Sequence, residues 1–352
     1  MSMKNVRGLL AAAGLAAAAG AAWLGLGNAL YNQLLTRKAA LTGTGGLPTE
    51  DILAGRATPP PKGDFLLRLL KKLVGMEDGG SPPPPALQEA VRWYVEHEPQ
   101  KAVTASPRGE RLHADVFLQE APSDVWVICL HGFSSCPRDM GAAVKHFYQW
   151  GWNALLPHLR GHGDSECGAV GMGWPDRLDV CAWAEYLVRE YDSPRIVLYG
   201  GSMGGAAVMM TLGEPLPENV ACAVEDCGYS SLWDEYAHQA REFLHLGPAV
   251  KPALCALDAV ARLRAGFSLR EASSVAQLKK SRTPTLFIHG EADNIVPFRM
   301  LREVYDACPC EKELLAVPGA GHGESQYREE LYFGTIKRFC ERYLTGVRRE
   351  RG

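Results

Sequence analysis

From about residue 125 onward the apolar residues fall in short closed runs, each followed by a turn and then by a longer stretch with helical spacing. Val125 to Leu130, Val197 to Tyr199, Val220 to Val224, Leu286 to Ile288 and Glu313 to Val317 are too short for helices and nearly uninterrupted by polar positions. Such runs predict strands buried on both faces, the pattern of a parallel sheet covered by helices. Helical spacing follows from about Ser325 to Tyr343. Three further helical patterns lie between Tyr229 and Arg282, at 232–246, 252–264 and 271–280, enough for a small cap. The chain therefore predicts an α/β protein with a mostly parallel central sheet flanked by helices.

The turns after these strands carry the chemistry. Val197-Leu198-Tyr199 runs into Gly200-Gly201-Ser202-Met203-Gly204, a Gly-x-Ser-x-Gly turn opening an Ala/Met-rich helix. A serine there sits in a strained backbone conformation, and glycines on either side let strand and helix approach. The turn also sets the Met203 N–H at a helix N-terminus, where a developing oxyanion is stabilised. Upstream, Val125–Leu130 enters His131-Gly132-Phe133, a His-Gly loop that offers the Phe133 N–H as a second oxyanion donor. Downstream, His289-Gly290-Glu291-Ala292-Asp293 makes Asp293 a candidate acid, and Gly319-Ala320-Gly321-His322-Gly323 makes His322 a candidate base. Asp226, just past Val220–Val224, competes for the role of acid; its alternative role is to cap the helix beginning near Ser230 or Ser231.

Ser202, Asp293 and His322 thus occur in the order nucleophile, acid, base, each beyond the C-terminal end of a predicted strand, where an open parallel sheet forms its crevice. On these residues the chain resembles the serine hydrolases of the α/β-hydrolase fold, with the likeness covering about Arg111 to Tyr343. It is similar in particular to bacterial membrane-anchored members of the serine aminopeptidase and lysophospholipase-like branch, through His131-Gly132-Phe133, Leu159 to Ser165, Gly171 to Trp174 and Glu225 to Ser231. Many relatives have Asp where this chain has His158, which weakens the argument that a local Asp–Arg pair holds that loop. The resemblance favours Asp293 over Asp226 as the acid. It implies a Ser202–His322–Asp293 triad, oxyanion donors at Phe133 and Met203, and hydrolysis of a small-molecule ester or related acyl derivative through an acyl-enzyme, without metal or organic cofactor. A serine peptidase or aminopeptidase would use the same triad, and no paired acidic anchor for a substrate amino group is recognisable. A non-catalytic binding protein on the same fold is the reading from another class. Trp233, Tyr236, Phe243 and Phe267 are candidate pocket residues in the cap.

Composition alters this picture little. With 37 basic and 40 acidic residues interspersed, nothing suggests a nucleic-acid surface. The ten cysteines lie mostly in core-like runs and read as small buried hydrophobes. Cys308-Pro309-Cys310 lacks the second cluster that a zinc site needs, and no histidine spacing reads convincingly as a metal site.

The N-terminus is different in kind. Gly8 to Leu35 carries no formal charge, with Lys4 and Arg7 before it and Arg37 and Lys38 after it. Its length exceeds the roughly 20 residues that cross a bilayer and the 7–15 of a signal-peptide core. Residues 1–40 therefore predict a single-pass membrane anchor, with a cleaved signal and, after it, a soluble Ala-rich helix as the alternatives. Basic residues at both ends leave the orientation open, with Lys4 and Arg7 favouring an inside N-terminus and the hydrolase on the outer face. Residues 41–86 form a Gly/Pro-rich connector, including a Phe65–Val74 segment with basic residues on one side that could lie on a membrane surface or pack on the body. Residues 87–352 are assigned to the catalytic domain.

Overall fold

The computed structural model describes residues 3–40, 44–56 and 82–345, with backbone alone over 3–17 and at 45. Among these, eight strands form one sheet: β1 Gln100–Ala105, β2 Arg111–Phe117, β3 Val125–Leu130, β4 Asn153–Pro157, β5 Arg195–Gly201, β6 Val220–Asp226, β7 Thr285–Gly290 and β8 Lys312–Val317, in the order β1-β2-β4-β3-β5-β6-β7-β8. The β1–β2 and β2–β4 pairs are antiparallel, and every other pair is parallel. The principal helices are α1 Met3–Leu34, α2 Pro85–Glu96, α3 Gly141–Gln149, α4 Asp176–Glu190, α5 Met203–Thr211, α6 Leu232–Glu242, α7 Val250–Arg264, α8 Arg299–Ala307 and α9 Glu329–Leu344.

Side chains alternate across a strand, so β3 feeds two cores. Trp126, Ile128 and Leu130 face one core, with Val180 of α4, Met203 to Met210 of α5, Leu254 of α7 and Met300 of α8. Val125, Val127 and Cys129 face the other, with Tyr94 of α2, Phe147 of α3 and Phe339 of α9. Burial on both faces explains why these strands read as continuous apolar runs. The parallel strands β3, β5, β6, β7 and β8 send their C-terminal ends to one edge, where the candidate residues gather.

Several elements differ from the sequence expectation. The last cap helix spans only Ser274–Leu278, capped by the Ser273 hydroxyl accepting from the Ala276 N–H at 3.2 Å. The C-terminal helix starts at Glu329, and Ser325–Tyr327 forms a separate tight turn. All ten cysteines are free thiols.

The expected membrane anchor finds no support among the described residues. No helix among the described residues is long and apolar enough to cross a membrane. The Ala and Gly content keeps α1 only mildly hydrophobic, and its C-terminal part faces the protein body. Gly27 crosses α7 so closely that a Cβ there would fall 2.2 Å from the Ala256 carbonyl oxygen. Tyr31 and Leu35 are buried. Arg264 lies over the Tyr31 ring at 4.2 Å and donates to the side-chain oxygens of Asn28 and Asn32 at 2.6 and 2.7 Å, while the Trp23 indole donates to the Pro252 carbonyl at 3.2 Å. The Val170 N–H donates to the Leu35 carbonyl at 3.0 Å. The uncharged run is thus in part an interface with the cap.

Part of the expected connector is seated as well. Arg138 donates to the Thr49 hydroxyl at 2.6 Å and to the carbonyls of Thr44 and Leu47, and Ile52 is buried. The Phe65–Val74 segment lies outside the described residues.

Candidate active site

Ser202 adopts φ 55° and ψ −119° between β5 and α5. A non-glycine residue in this region stores roughly 1–3 kcal/mol of strain and persists only where its surroundings impose it. Here the Ser202 N–H donates to the Asp226 carbonyl at 2.8 Å, and the Ala206 N–H donates to the Ser202 carbonyl at 2.9 Å. The close approach depends on Gly200 and Gly204, whose Cβ atoms would lie 2.4 Å from the Gly204 carbonyl oxygen and 2.0 Å from the Leu130 carbonyl oxygen. Met203 opens α5, so its N–H is among the four that any helix leaves without an internal acceptor. The loop after β3 runs beside the serine, with the Cβ direction of Gly132 only 3.6 Å from Ser202 Cβ and Phe133 next in sequence.

His322, in the loop after β8, brings the three residues together. Its Nε2 is 2.9 Å from Ser202 Oγ and its Nδ1 is 2.7 Å from Asp293 Oδ2. Because a carboxylate only accepts, Nδ1 carries the proton and Nε2 is left to accept from the serine hydroxyl. Asp293 is held in turn by the Ile295 and Val296 N–H groups, each donating to Oδ1 at 2.9 Å. Burial would raise the Asp293 carboxyl, but hydrogen bonds from His289 and His322 outweigh it and hold it down at about 2. Burial alone would lower the pKa of His322; the adjoining Cys227 sulfur and Asp293 carboxylate instead hold it well above the ordinary 6.5.

Asp226 does not join this linkage. The Tyr332 hydroxyl donates to its Oδ2 at 2.8 Å, and burial pushes its carboxyl up to about 6 against that bond. Nor does it cap α6: the Ser231 hydroxyl accepts from the Asp234 N–H at 3.1 Å and does so. A strand-end aspartate and a helix two turns of chain away suggested the cap; the strand carries Asp226 toward Tyr332 instead.

The loop bearing Arg160 is braced from a distance. Arg160 donates through Nε and Nη2 to Asp179 at 2.5 and 2.8 Å and through Nη1 and Nη2 to Glu110, both at 3.2 Å. His158 accepts from the Asp164 N–H at 3.0 Å. Of the candidate pocket residues, Tyr236 and Phe267 are buried in the core, and Trp233 lines an open depression with the Arg270 guanidinium 3.5 Å over its ring.

Three neighbours of the site had no signal in the sequence. His289 is fully buried, with Nε2 3.2 Å from Asp293 Oδ2 and 2.8 Å from the Val296 carbonyl. Cys227 lies beside His322 and Asp293. Glu235, on α6, is 2% exposed; Gln239 donates to its Oε1 at 2.5 Å and its Oε2 has no partner. The charges of His322 and Asp293 reach it, and burial pushes its carboxyl up to about 8 despite the bond from Gln239. The ring of His238, one turn further along α6, lies 3.0 Å from the Asn294 carbonyl in the Asp293 loop, which ties this helix to the site.

A strained serine linked through histidine to a buried aspartate, set on the C-terminal edge of a parallel sheet, defines a serine hydrolase of the α/β-hydrolase fold. The chain belongs to the prolyl oligopeptidase family, whose model matches residues 147–346. It is similar to the uncharacterized protein YqkD of Bacillus subtilis, 24% identical over 225 residues covering 63% of this chain and 73% of that one. It is also similar to the uncharacterized protein YfhR of Escherichia coli K12, 26% identical over 219 residues, 58% and 68% of the two chains. Among solved structures it resembles an esterase from Pyrococcus furiosus, with a TM-score of 0.59 and 21% identity over 71% of this chain and 93% of that one. A puromycin-hydrolyzing peptidase of Mycobacterium tuberculosis gives a TM-score of 0.55 and 18% identity over 75% of this chain and 40% of that one. These structural likenesses establish the fold.

Proposed function

We propose that this protein hydrolyses a carboxylic ester or related acyl derivative through a covalent acyl-enzyme on Ser202. The observation that carries this reading is the linkage of Ser202 Oγ, His322 and Asp293 at 2.9 and 2.7 Å. Serine is a weak nucleophile at its free pKa, so His322 Nε2 takes its proton during attack on the acyl carbon. Asp293 keeps the proton on Nδ1 and stabilises the imidazolium that forms. The N–H groups of Phe133 and Met203 receive the oxyanion, and losing one such donor costs about 3–4 kcal/mol of barrier. His322 then protonates the leaving group, and water, activated by the same ring, releases the acid. A panel of p-nitrophenyl esters of graded acyl length tests this reading directly: turnover of the wild type that disappears in Ser202→Ala supports it, and no turnover of any ester contradicts it.

A second reading, cleavage of an aminoacyl amide or peptide, is favoured by Glu235. Its unpartnered, buried oxygen beside the triad is a poor place for a carboxylate unless a cation completes it, and a substrate ammonium group would do so. The family match and the likeness to a peptidase agree with this reading. Aminoacyl p-nitroanilides and unsubstituted acyl esters, compared on wild type and Glu235→Gln, separate the two. A selective loss of kcat/KM on the amino-bearing substrates supports the peptidase reading, and equal effects on both series leave the ester reading.

A further inference from the structure

Beneath the triad the chain turns out of β6 at Cys227, which takes φ 48° and donates its N–H to the Ile288 carbonyl at 2.9 Å. One ligand atom each from Cys227, Asp293 and His322 lies within 4.8 Å of the other two, the one such cluster of three among the described residues. In sequence these residues are far apart; the ends of β6, β7 and β8 bring them together. Thiolate, imidazole and carboxylate are the donor types that zinc takes, at about 2.3 Å to sulfur and 2.0–2.2 Å to nitrogen and oxygen. Those bond lengths place tetrahedral ligand atoms roughly 3.4–3.6 Å apart, so the cluster closes on an ion with shifts of about 1 Å. Cys227 and Asp293 are buried, whereas the His322 side chain is 23% exposed, so access is from the crevice past the histidine.

We propose that Cys227, Asp293 and His322 form an inhibitory site for a thiophilic divalent cation, with Zn²⁺ the best match to the donor set. Binding exchanges the Cys227 thiol proton for a zinc–sulfur bond and releases that proton to solvent. Zinc also takes a lone pair of His322. Bound at Nε2, it removes the acceptor of the Ser202 proton directly; bound at Nδ1, it leaves the remaining proton on Nε2, which then cannot accept. In either case Ser202 loses its base, and the open crevice supplies a fourth ligand from water or the serine hydroxyl. The site rests on ligand geometry alone, while its inhibitory effect rests on the proposed roles of Ser202 and His322.

The test uses the full chain, freed of metal, in equilibrium dialysis against Zn²⁺ with bound zinc counted, beside the rate of fluorophosphonate labelling. Wild type binds one zinc more than Cys227→Ser and Cys227→Ala, and zinc slows its labelling reversibly, with recovery on adding EDTA. In both variants half-inhibition moves to at least about tenfold higher zinc, since losing a ligand weakens binding no less than losing a supporting residue, which costs 10–100-fold. Ser202→Ala keeps the additional zinc although it cannot be labelled, so failure of the metal site and failure of the nucleophile assignment give different results. His322→Ala loses the same zinc, which decides the question should neither Cys227 variant fold. Equal zinc counts in wild type, both Cys227 variants and His322→Ala, or labelling of wild type indifferent to zinc, overturns the proposal.

Discussion

His289 and Asp293 form a buried pair in which the imidazole Nε2 lies 3.2 Å from the same carboxylate oxygen that binds His322. The other neighbour of Nε2, the Val296 carbonyl at 2.8 Å, can only accept. Nε2 therefore carries the proton and shares it between the two acceptors, leaving Nδ1 a buried acceptor without a donor. His289 thus fixes the rotamer of Asp293 from behind while His322 uses it from the front. Replacing His289 by Phe removes that donor and is expected to lower kcat by about 10–100-fold, by analogy with the scale found for residues that orient metal ligands. His289→Gln, which can present an N–H, is expected to recover part of the loss. A purely structural role predicts reduced thermal stability with the pH profile of the folded fraction unchanged, so profiles on folded protein separate the two.

The two strand-end aspartates are expected to behave oppositely. Asp293→Asn keeps the shape but inverts the hydrogen bonding to His322, and turnover should fall by about 10⁴. Asp226→Asn retains an acceptor for the Tyr332 hydroxyl and removes a buried charge, so turnover should change little. Its effect on stability has a definite sign. The folded state raises the Asp226 carboxyl from 3.8 to about 6, so ionisation disfavours the folded protein as pH rises through that window. The thermal midpoint of Asp226→Asn relative to wild type should therefore improve between pH 4 and 6 and hold steady above. Steady-state kinetics and melting curves on both variants check the pair.

In its proposed role His322 acts as base only when neutral, and the Cys227 sulfur and Asp293 carboxylate hold its pKa above the ordinary 6.5. The acid limb of kcat/KM should accordingly have its midpoint above 6.5, with activity lost as pH falls. Asp293, held at about 2, remains ionised throughout and adds no second limb near neutrality. A midpoint at or below 6.5 in the free enzyme would contradict the electrostatic account of the histidine.

Helix α1 is expected to support the cap. Removing residues 1–40 strips Tyr31 and Leu35 from the core and leaves Arg264 without its partners Asn28 and Asn32. Burying one such side chain is worth about 1.5–3 kcal/mol, so the truncated chain should melt at a clearly lower temperature. A melting point equal to that of the full chain would show the α1 contact to be dispensable.

Much of the site was legible because each triad residue follows an apolar run that ends in a turn: β5 and β7 are buried on both faces, and the half-buried edge strand β8 still ends in a glycine loop. Ser202 and His322 needed only that local pattern and their order, whereas Asp226 fits the same pattern and order, so Asp293 needed the family resemblance as well. His289, Cys227 and Glu235 gave no comparable signal, since their meaning comes from neighbouring strands and from a cap helix closing over the crevice. The N-terminal run was ambiguous for a related reason: absence of charge reports that residues avoid water, not whether lipid or α7 covers them. Asp226 was misplaced because a helix start nearby in sequence suggested a cap that the strand direction does not allow.

The central claim is that Ser202 forms the covalent intermediate, and mass spectrometry of the protein after reaction with a fluorophosphonate probe tests it most directly. The account predicts one adduct per chain, on the peptide containing Ser202, absent from Ser202→Ala and formed far more slowly in His322→Ala. An adduct on any other residue, or undiminished labelling of Ser202→Ala, would contradict it.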